Sequence, residues 1–590
     1  MTEHIELKGS LAAATLVTLF LVAGCGDGNN ASADALAKRN QNVDAVKPPA
    51  QSTATTAAVS GKITYDFVPA VASKDQQGRW QAKLDYAKTV QKPARNVVVE
   101  LIDDKTGKVL LSAETDAQGS YAFQAPLNTA VRVRAKAQML RAGSTGSAGP
   151  SWNFAVRDHS SAGYGVSTNG ASLFAMESTS FNSGKQASIH DLNAASGWDA
   201  TKSTYATSRS AGPFAILDTV YNASHKVLEA DKNLAFPPLN VFWSPGDTDG
   251  TYFGSESGKS NSRGLHILGQ ADVDTDEYDA GVIAHEWGHY FQASFSRDDS
   301  TGGSHGQGDL LDMRLAFSEG WGNSFSSMAR NDPMYVDTNG KSQGKRAVVF
   351  KVDDIPADDP KAWFSETAVQ SVLYRLHQSP DIGFAPIYQA MAAQKTSPAF
   401  TSLFSFAASL RGKINAAGQA TLDSLLTEVN TINKDNLDMF GSKQASLPAS
   451  IIAANKDFVL PVYTLLDVGL QTTAQTVGKE STACNTTAYD AGNNYNKLGV
   501  YRYLRFGVAE KGKYRLRIVP DQGLAPYLQL YSKGTELAGD TVKNQLSEDP
   551  NHPGTYYANY DLPVQNDYVA TLTTVGDAPG CFKLLLTQVK

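Results

Sequence analysis

The stretch His285-Glu286-Trp287-Gly288-His289 constrains this chain more than any other, because its chemistry works only on a helix. Residues four apart share a helical face, so His285 and His289 can aim both imidazoles at one ion about 2 Å from each nitrogen. Glu286, one position along, lies near that ion without binding it, where a general base takes a proton from water held there. Gly281-Val282-Ile283-Ala284 before the pair and Tyr290-Phe291 after it predict a buried helix over 280–293. Thr275 or Asp276 is expected to cap its start, with Asp279 in the first turn.

Two imidazoles leave such a site incomplete, since hydrolytic zinc takes three protein ligands and keeps a fourth position for water. The best third ligand is Glu319, within Ala316-Phe317-Ser318-Glu319-Gly320-Trp321-Gly322-Asn323-Ser324-Phe325, and 29 residues separate it from His289. His305, Asp309 and Asp312 are its rivals. An HExxH helix followed by a second helix bearing Glu-Gly-Trp resembles the gluzincin metallopeptidases, most of all the fungalysin type. The resemblance implies an α+β zincin-like domain with a helical second half and one Zn²⁺ per chain on His285, His289 and Glu319. In that clan an acidic residue four positions after the glutamate ligand orients a zinc histidine; here Asn323 holds that place, a neutral acceptor that implies weaker metal binding.

The clan also draws a tyrosine or histidine from its helical half to stabilise charge on the attacked carbonyl. Tyr374 and His377 are the first candidates and Tyr388 the next. The strand around His266-Ile267-Leu268-Gly269 stands where thermolysin-like relatives pair an extended substrate along a sheet edge, the alternative being an interior strand. The acidic run Asp272, Asp274, Asp276, Glu277 and Asp279 fits no EF-hand spacing and reads as a solvated turn and cap, with calcium an unsupported option.

Around this centre the chain divides into several units, as 590 residues require. Leu11 to Ala23 is an apolar run of signal-peptide length, and Leu21-Val22-Ala23-Gly24-Cys25 resembles a bacterial lipobox. That resemblance implies a lipoprotein signal peptide over 1–25, a lipid on Cys25 and, with Gly26 following, a place at the outer membrane. Glu3 and Glu6 beside Lys8 depart from the usual positive start. Residues 26–56 lack aromatic side chains and read as a disordered tether. Alternation over 57–140 predicts a β-sandwich whose Ser60-Gly61-Lys62-Ile63-Thr64-Tyr65-Asp66 and following strands resemble carboxypeptidase regulatory-like domains. The gluzincin resemblance implies a metallopeptidase domain over 141–457. Alternation returns over 458–590 as a second, jelly-roll-like β-sandwich similar to pre-peptidase C-terminal domains. Cys484 and Cys581 lie in it, as a disulfide in an oxidising compartment or as two buried thiols.

Fifty-two basic against 59 acidic side chains give a net charge of −7, which offers no field for a phosphate backbone and excludes nucleic acid as a partner class. The expected activity is hydrolysis of polypeptide or glycoprotein substrates by a zinc endopeptidase. An aminopeptidase is the second enzyme reading, but its upstream GxMEN segment is approached only by Ala175-Met176-Glu177-Ser178. A catalytically impaired adhesion or glycan-binding lipoprotein is the alternative from outside enzymology, kept open by Asn323.

Overall fold

A computed structural model describes residues 56–143, 149–159, 171–254, 264–344, 346–431, 436–448, 451, 456–473, 475–487, 495–540, 546–576 and 578–590. Cys25 and the expected signal peptide and tether, apart from Thr56, lie outside the described residues.

The alternating N-terminal segments form strands as their period of two demands. They are β1 (Thr56–Phe67), β2 (Val97–Asp103), β3 (Val109–Glu114), β4 (Ser120–Pro126) and β5 (Ala130–Arg141). Gly107 and Gly119 supply the left-handed backbone for the reversals between them, at φ 70° and 74°. β1 pairs with β4, and β2 pairs with β3 and β5. The sheet does not stop there. β5 also pairs antiparallel with β6 (Trp152–Asp158), which runs parallel to β7 (Leu239–Trp243). With β8 (Tyr252–Gly254) and β9 (Gly264–Ile267) the order along the sheet is β8-β9-β7-β6-β5-β2-β3.

The boundary expected at 140/141 therefore falls inside one strand of a continuous sheet. Alternation identifies strands but does not say which edge each pairs, and β6 closes on the edge that β5 presents. The cores merge as well, since Val99, Val133, Phe154, Val241 and Trp287 belong to one buried cluster. β9 lies between β8 and β7, so the His266 strand is interior and β8 ends the sheet among the described residues.

Helix α1 (Gly212–Ala230) fills the crossover between the parallel strands β6 and β7. After β9, a short strand β10 (Asp274–Thr275) leads into α2 (Ala280–Phe295), and α3 (Met313–Arg330) follows. Both α2 and α3 are buried on nearly every face, which is why neither shows a polar stripe. A hairpin of β11 (Met334–Asn339) and β12 (Arg346–Lys351) joins β10 through Asp274 and Asn339. The helical half is α4 (Glu366–Gln378), α5 (Phe384–Ala393), α6 (Leu403–Arg411) and α7 (Ala416–Glu428).

The C-terminal strands are β13 (Tyr463–Leu465), β14 (Val468–Gln471), β15 (Ser481–Asn485), β16 (Arg502–Val508), β17 (Gly512–Pro520), β18 (Pro526–Ser532), β19 (Tyr556–Leu562), β20 (Gln565–Thr574) and β21 (Gly580–Val589). One sheet runs β13-β16-β20-β18 and the other β14-β21-β17-β19, with β15 also on β21. Their inner faces enclose a second core containing Leu504, Phe506, Leu516, Leu530, Tyr568 and Leu584. Cys484 and Cys581 sit opposite each other on β15 and β21 and form a disulfide. Among the described residues no helix is long and apolar enough to cross a membrane.

Candidate metal centre

Two glycines let α2 and α3 approach closely enough to build the centre. A Cβ on Gly288 would lie 3.2 Å from the Gly322 Cα, and one on Gly322 would lie 2.8–2.9 Å from three atoms of the His285 ring. Trp321 fixes the contact by donating from Nε1 to the Gly288 carbonyl at 3.0 Å. The predicted trio then converges. His285 Nε2 lies 3.0 Å from His289 Nε2 and 3.2 Å from Glu319 Oε2, and His289 Nε2 lies 3.4 Å from the same oxygen. The three ligand atoms all lie within 4.8 Å of one another, and each residue is at most 3% exposed. Two imidazole nitrogens and one carboxylate oxygen make a donor set that fits zinc.

Each imidazole is oriented from behind by a neutral side chain that leans on a carboxylate. His285 donates from Nδ1 to Asn323 Oδ1 at 2.7 Å, and Asn323 Nδ2 donates to Glu366 Oε1 at 2.7 Å and Gln370 Oε1 at 2.9 Å. On the other side, His289 Nδ1 lies 3.4 Å from Ser318 Oγ, which reaches Asp298 Oδ2 at 3.1 Å. Both rings thus present Nε2 to the ion position, with the tautomer set by the opposite nitrogen. Glu366, Gln370 and Asp298 escaped the sequence reading because no spacing rule connects them to the motif.

Glu286 is fully buried beside this cluster. Its Oε2 accepts from the Phe253 N–H at 2.7 Å, while among the described residues its Oε1 has no partner. Burial raises its pKa, with the imidazoles of His285 and His289 pulling the other way. Burial alone would also raise the Glu319 carboxyl, but His305 and His289 outweigh it and hold that group well below the ordinary value. For His289 burial favours the neutral ring, yet the Glu319 carboxylate prevails and pushes the pKa up to about 9.

His305, weighed above as a rival ligand, stands next to Glu319 without replacing it. Its Nδ1 donates to Glu366 Oε2 at 2.8 Å and its Nε2 lies 3.4 Å from Glu319 Oε2. Asp309 is engaged by Lys497 at 2.8 Å. Asp312 caps α3 by accepting from Arg314 N at 3.0 Å and from Tyr503 Oη at 2.6 Å.

The expected carbonyl-stabilising residues are elsewhere. Tyr374 lies among Asp353, Gln378, Asp332 and Arg330, and Arg330 is about 16 Å beyond Glu319 along α3. His377 is influenced by Lys226 and Glu229, and Tyr388 donates to Asp231 at 3.3 Å. The reason is helical pitch: Glu366 and Gln370 face the centre from the first turns of α4, and Tyr374 and His377 lie farther along its axis. The cap assignment is also corrected, since Asp279 occupies the position before α2 and its Oδ2 accepts from Thr338.

Residues 222–427, about a third of the chain, match a family model described as the Mycolysin C-terminal domain. The span holds both helices of the centre and α4 to α7, and the match points to a peptidase. No curated protein matches the chain. Among solved structures, the pre-peptidase C-terminal domain of a collagenase from Bacillus anthracis is 12% identical, covers 21% of this chain and 95% of its own, and gives a TM-score of 0.14. A cycloisomaltooligosaccharide glucanotransferase from Paenibacillus sp. is 9% identical, with 89% and 72% covered and a TM-score of 0.11. Likenesses of this size carry no argument about the present fold or activity.

Proposed function

We propose that this chain is a zinc-dependent endopeptidase, lipid-anchored at Cys25, that hydrolyses peptide bonds of envelope or extracellular polypeptides and glycoproteins. The convergence of His285 Nε2, His289 Nε2 and Glu319 Oε2 beside the unpartnered Oε1 of Glu286 carries this reading. When bound, Zn²⁺ would polarise the scissile carbonyl and acidify water. Glu286 is the base: Phe253 N–H fixes one of its oxygens and leaves the other to accept a proton from water and return it to the departing amine. Burial raises its basicity toward that role. Asn323 and Ser318 keep the imidazoles in one tautomer and orientation, so the ligand nitrogens are preorganised.

Two observations weigh against the other readings. Glu177 of the Ala175-Met176-Glu177-Ser178 segment pairs with Arg132 and Arg134 on β5, a structural role that leaves an aminopeptidase without its amine-binding carboxylate from that segment. Asn323, the reason to suspect an impaired centre, has the Glu366 carboxylate directly behind it.

The test is Glu286→Gln assayed on N-terminally blocked peptides with metal content measured in parallel. The variant should keep its zinc and lose about 10²–10⁴-fold in rate. An unchanged rate refutes the assignment, and cleavage confined to peptides with a free amine favours the aminopeptidase. Fatty-acid labelling that vanishes in Cys25→Ser tests the anchor.

A further inference from the structure

The acidic run before α2 is not the solvated turn that its composition suggests. Asp276 is 2% exposed, Asp279 0% and, from the distant strand β11, Asp337 is 4% exposed. Carboxylate oxygens of Asp274, Asp276 and Asp337 lie within 4.8 Å of one another. Asp279 belongs to the same electrostatic cluster, interacting with Asp337 and Asp274. Among the described residues no cation neutralises them: none of the four forms an ion pair, and the nearby Arg209 is committed to Glu277.

Two of their second oxygens accept hydrogen bonds. Thr251 Oγ1 donates to Asp276 Oδ2, and Thr338 donates to Asp279 Oδ2 from N at 2.7 Å and from Oγ1 at 2.8 Å. Among the described residues, the Oδ1 atoms of Asp274, Asp276, Asp279 and Asp337 are buried without a hydrogen-bond partner. An unpaired buried charge costs several kcal/mol, and four gathered carboxylates also repel one another. A divalent cation removes both costs at once.

We propose that Asp274, Asp276 and Asp337, with Asp279 beside them, form a Ca²⁺ site at the start of α2, separate from the zinc ligands. The donors are all oxygen and all carboxylate, the chemistry of a hard cation. Ca²⁺ accepts six to eight such oxygens in irregular geometry, whereas Mg²⁺ demands an octahedron and keeps its waters. The site ties together β10, β11 and the residue preceding α2, and through Thr251 the entry to β8. It therefore clamps the end of the helix that presents His285, Glu286 and His289, and the strand whose Phe253 orients the base.

The experiment uses the full zinc-loaded chain, freed of calcium on a chelating resin, and follows Tb³⁺ luminescence, Ca²⁺ titration and thermal melting. The wild type should bind one Tb³⁺ that Ca²⁺ displaces, and its melting temperature should rise with Ca²⁺ to a plateau. The double variant Asp276→Asn, Asp337→Asn should lose that binding, melt independently of Ca²⁺, and in calcium-free buffer melt above the wild type. If it does not fold, Asp274→Asn, altering the more exposed ligand, should weaken Ca²⁺ by at least about tenfold. Three results overturn the proposal. They are Tb³⁺ binding that the variants leave unchanged, a melting temperature indifferent to millimolar Ca²⁺, or saturation by Mg²⁺ with no response to Ca²⁺. The second of these would mean that the carboxylates share protons instead of a cation.

Discussion

The amide of Asn323 accepts from His285 with its oxygen and donates to both Glu366 and Gln370 with its nitrogen. A carboxylate can do only the first. Asn323→Asp would set two like charges against each other in a buried place and strip Glu366 and Gln370 of their donor. Chemical denaturation should show a loss of about 2–4 kcal/mol, and an increase in stability would contradict this account. Glu366→Gln keeps the shape and removes the charge behind both His285 and His305; competition with a zinc chelator should reveal affinity about 10–100-fold weaker. His377 carries a prediction of another kind. Burial, aided by Lys226, lowers its pKa from the ordinary 6.5 to about 4, so the unfolded chain takes up a proton that the folded chain refuses. Its contribution is complete above pH 6.5 and is lost as pH falls toward 4. Melting temperatures across that window should fall less steeply in His377→Gln.

Gly322 shows what a helix pair asks of single positions. A methyl group there meets the His285 ring at 2.8 Å, so Gly322→Ala should displace the imidazole and lower zinc content while circular dichroism still reports the helices. The spacing of His285, Glu286 and His289 made α2 readable from sequence, and the Glu-Gly-Trp stretch made α3 readable, because both signals are local. Apolar residues at helical spacing over 367–377, 385–394, 400–410 and 422–432 foretell four helices after residue 365, and α4 to α7 overlap those spans. What stayed illegible is long-range: which edge β5 pairs, and that Asp337 from β11 comes to rest beside Asp274 and Asp276. Hydrophobic period reports that a residue is buried and is silent on what it is buried against. The acidic run was misread for the same reason, since charge in sequence signals exposure unless distant carboxylates gather around it.

At the scale of the molecule, the C-terminal sandwich is joined to the candidate metal centre by polar contacts. Asn496 Nδ2 donates to the carbonyls of Gly302 and Ser304 at 3.0 Å, and Lys497 binds Asp309 and the Ser304 carbonyl. Tyr503 holds the Asp312 cap of α3. These contacts grip the loop that carries His305 and the helix that carries Glu319, so a chain ending at 457 should bind zinc more weakly than the full chain. Closing a loop of 97 residues, the Cys484–Cys581 disulfide contributes about 4–5 kcal/mol, and replacing both cysteines by serine should lower the melting temperature of the sandwich. The central claim is that two imidazoles and one carboxylate from α2 and α3 hold a single zinc ion. X-ray absorption at the zinc edge of the purified full chain tests it most directly. It should report two imidazole nitrogens at about 2.0–2.1 Å and oxygen donors at about 2.0–2.2 Å, and Glu319→Gln should deplete the metal. A chain that retains no zinc, or a zinc shell without the imidazole pair, would contradict it.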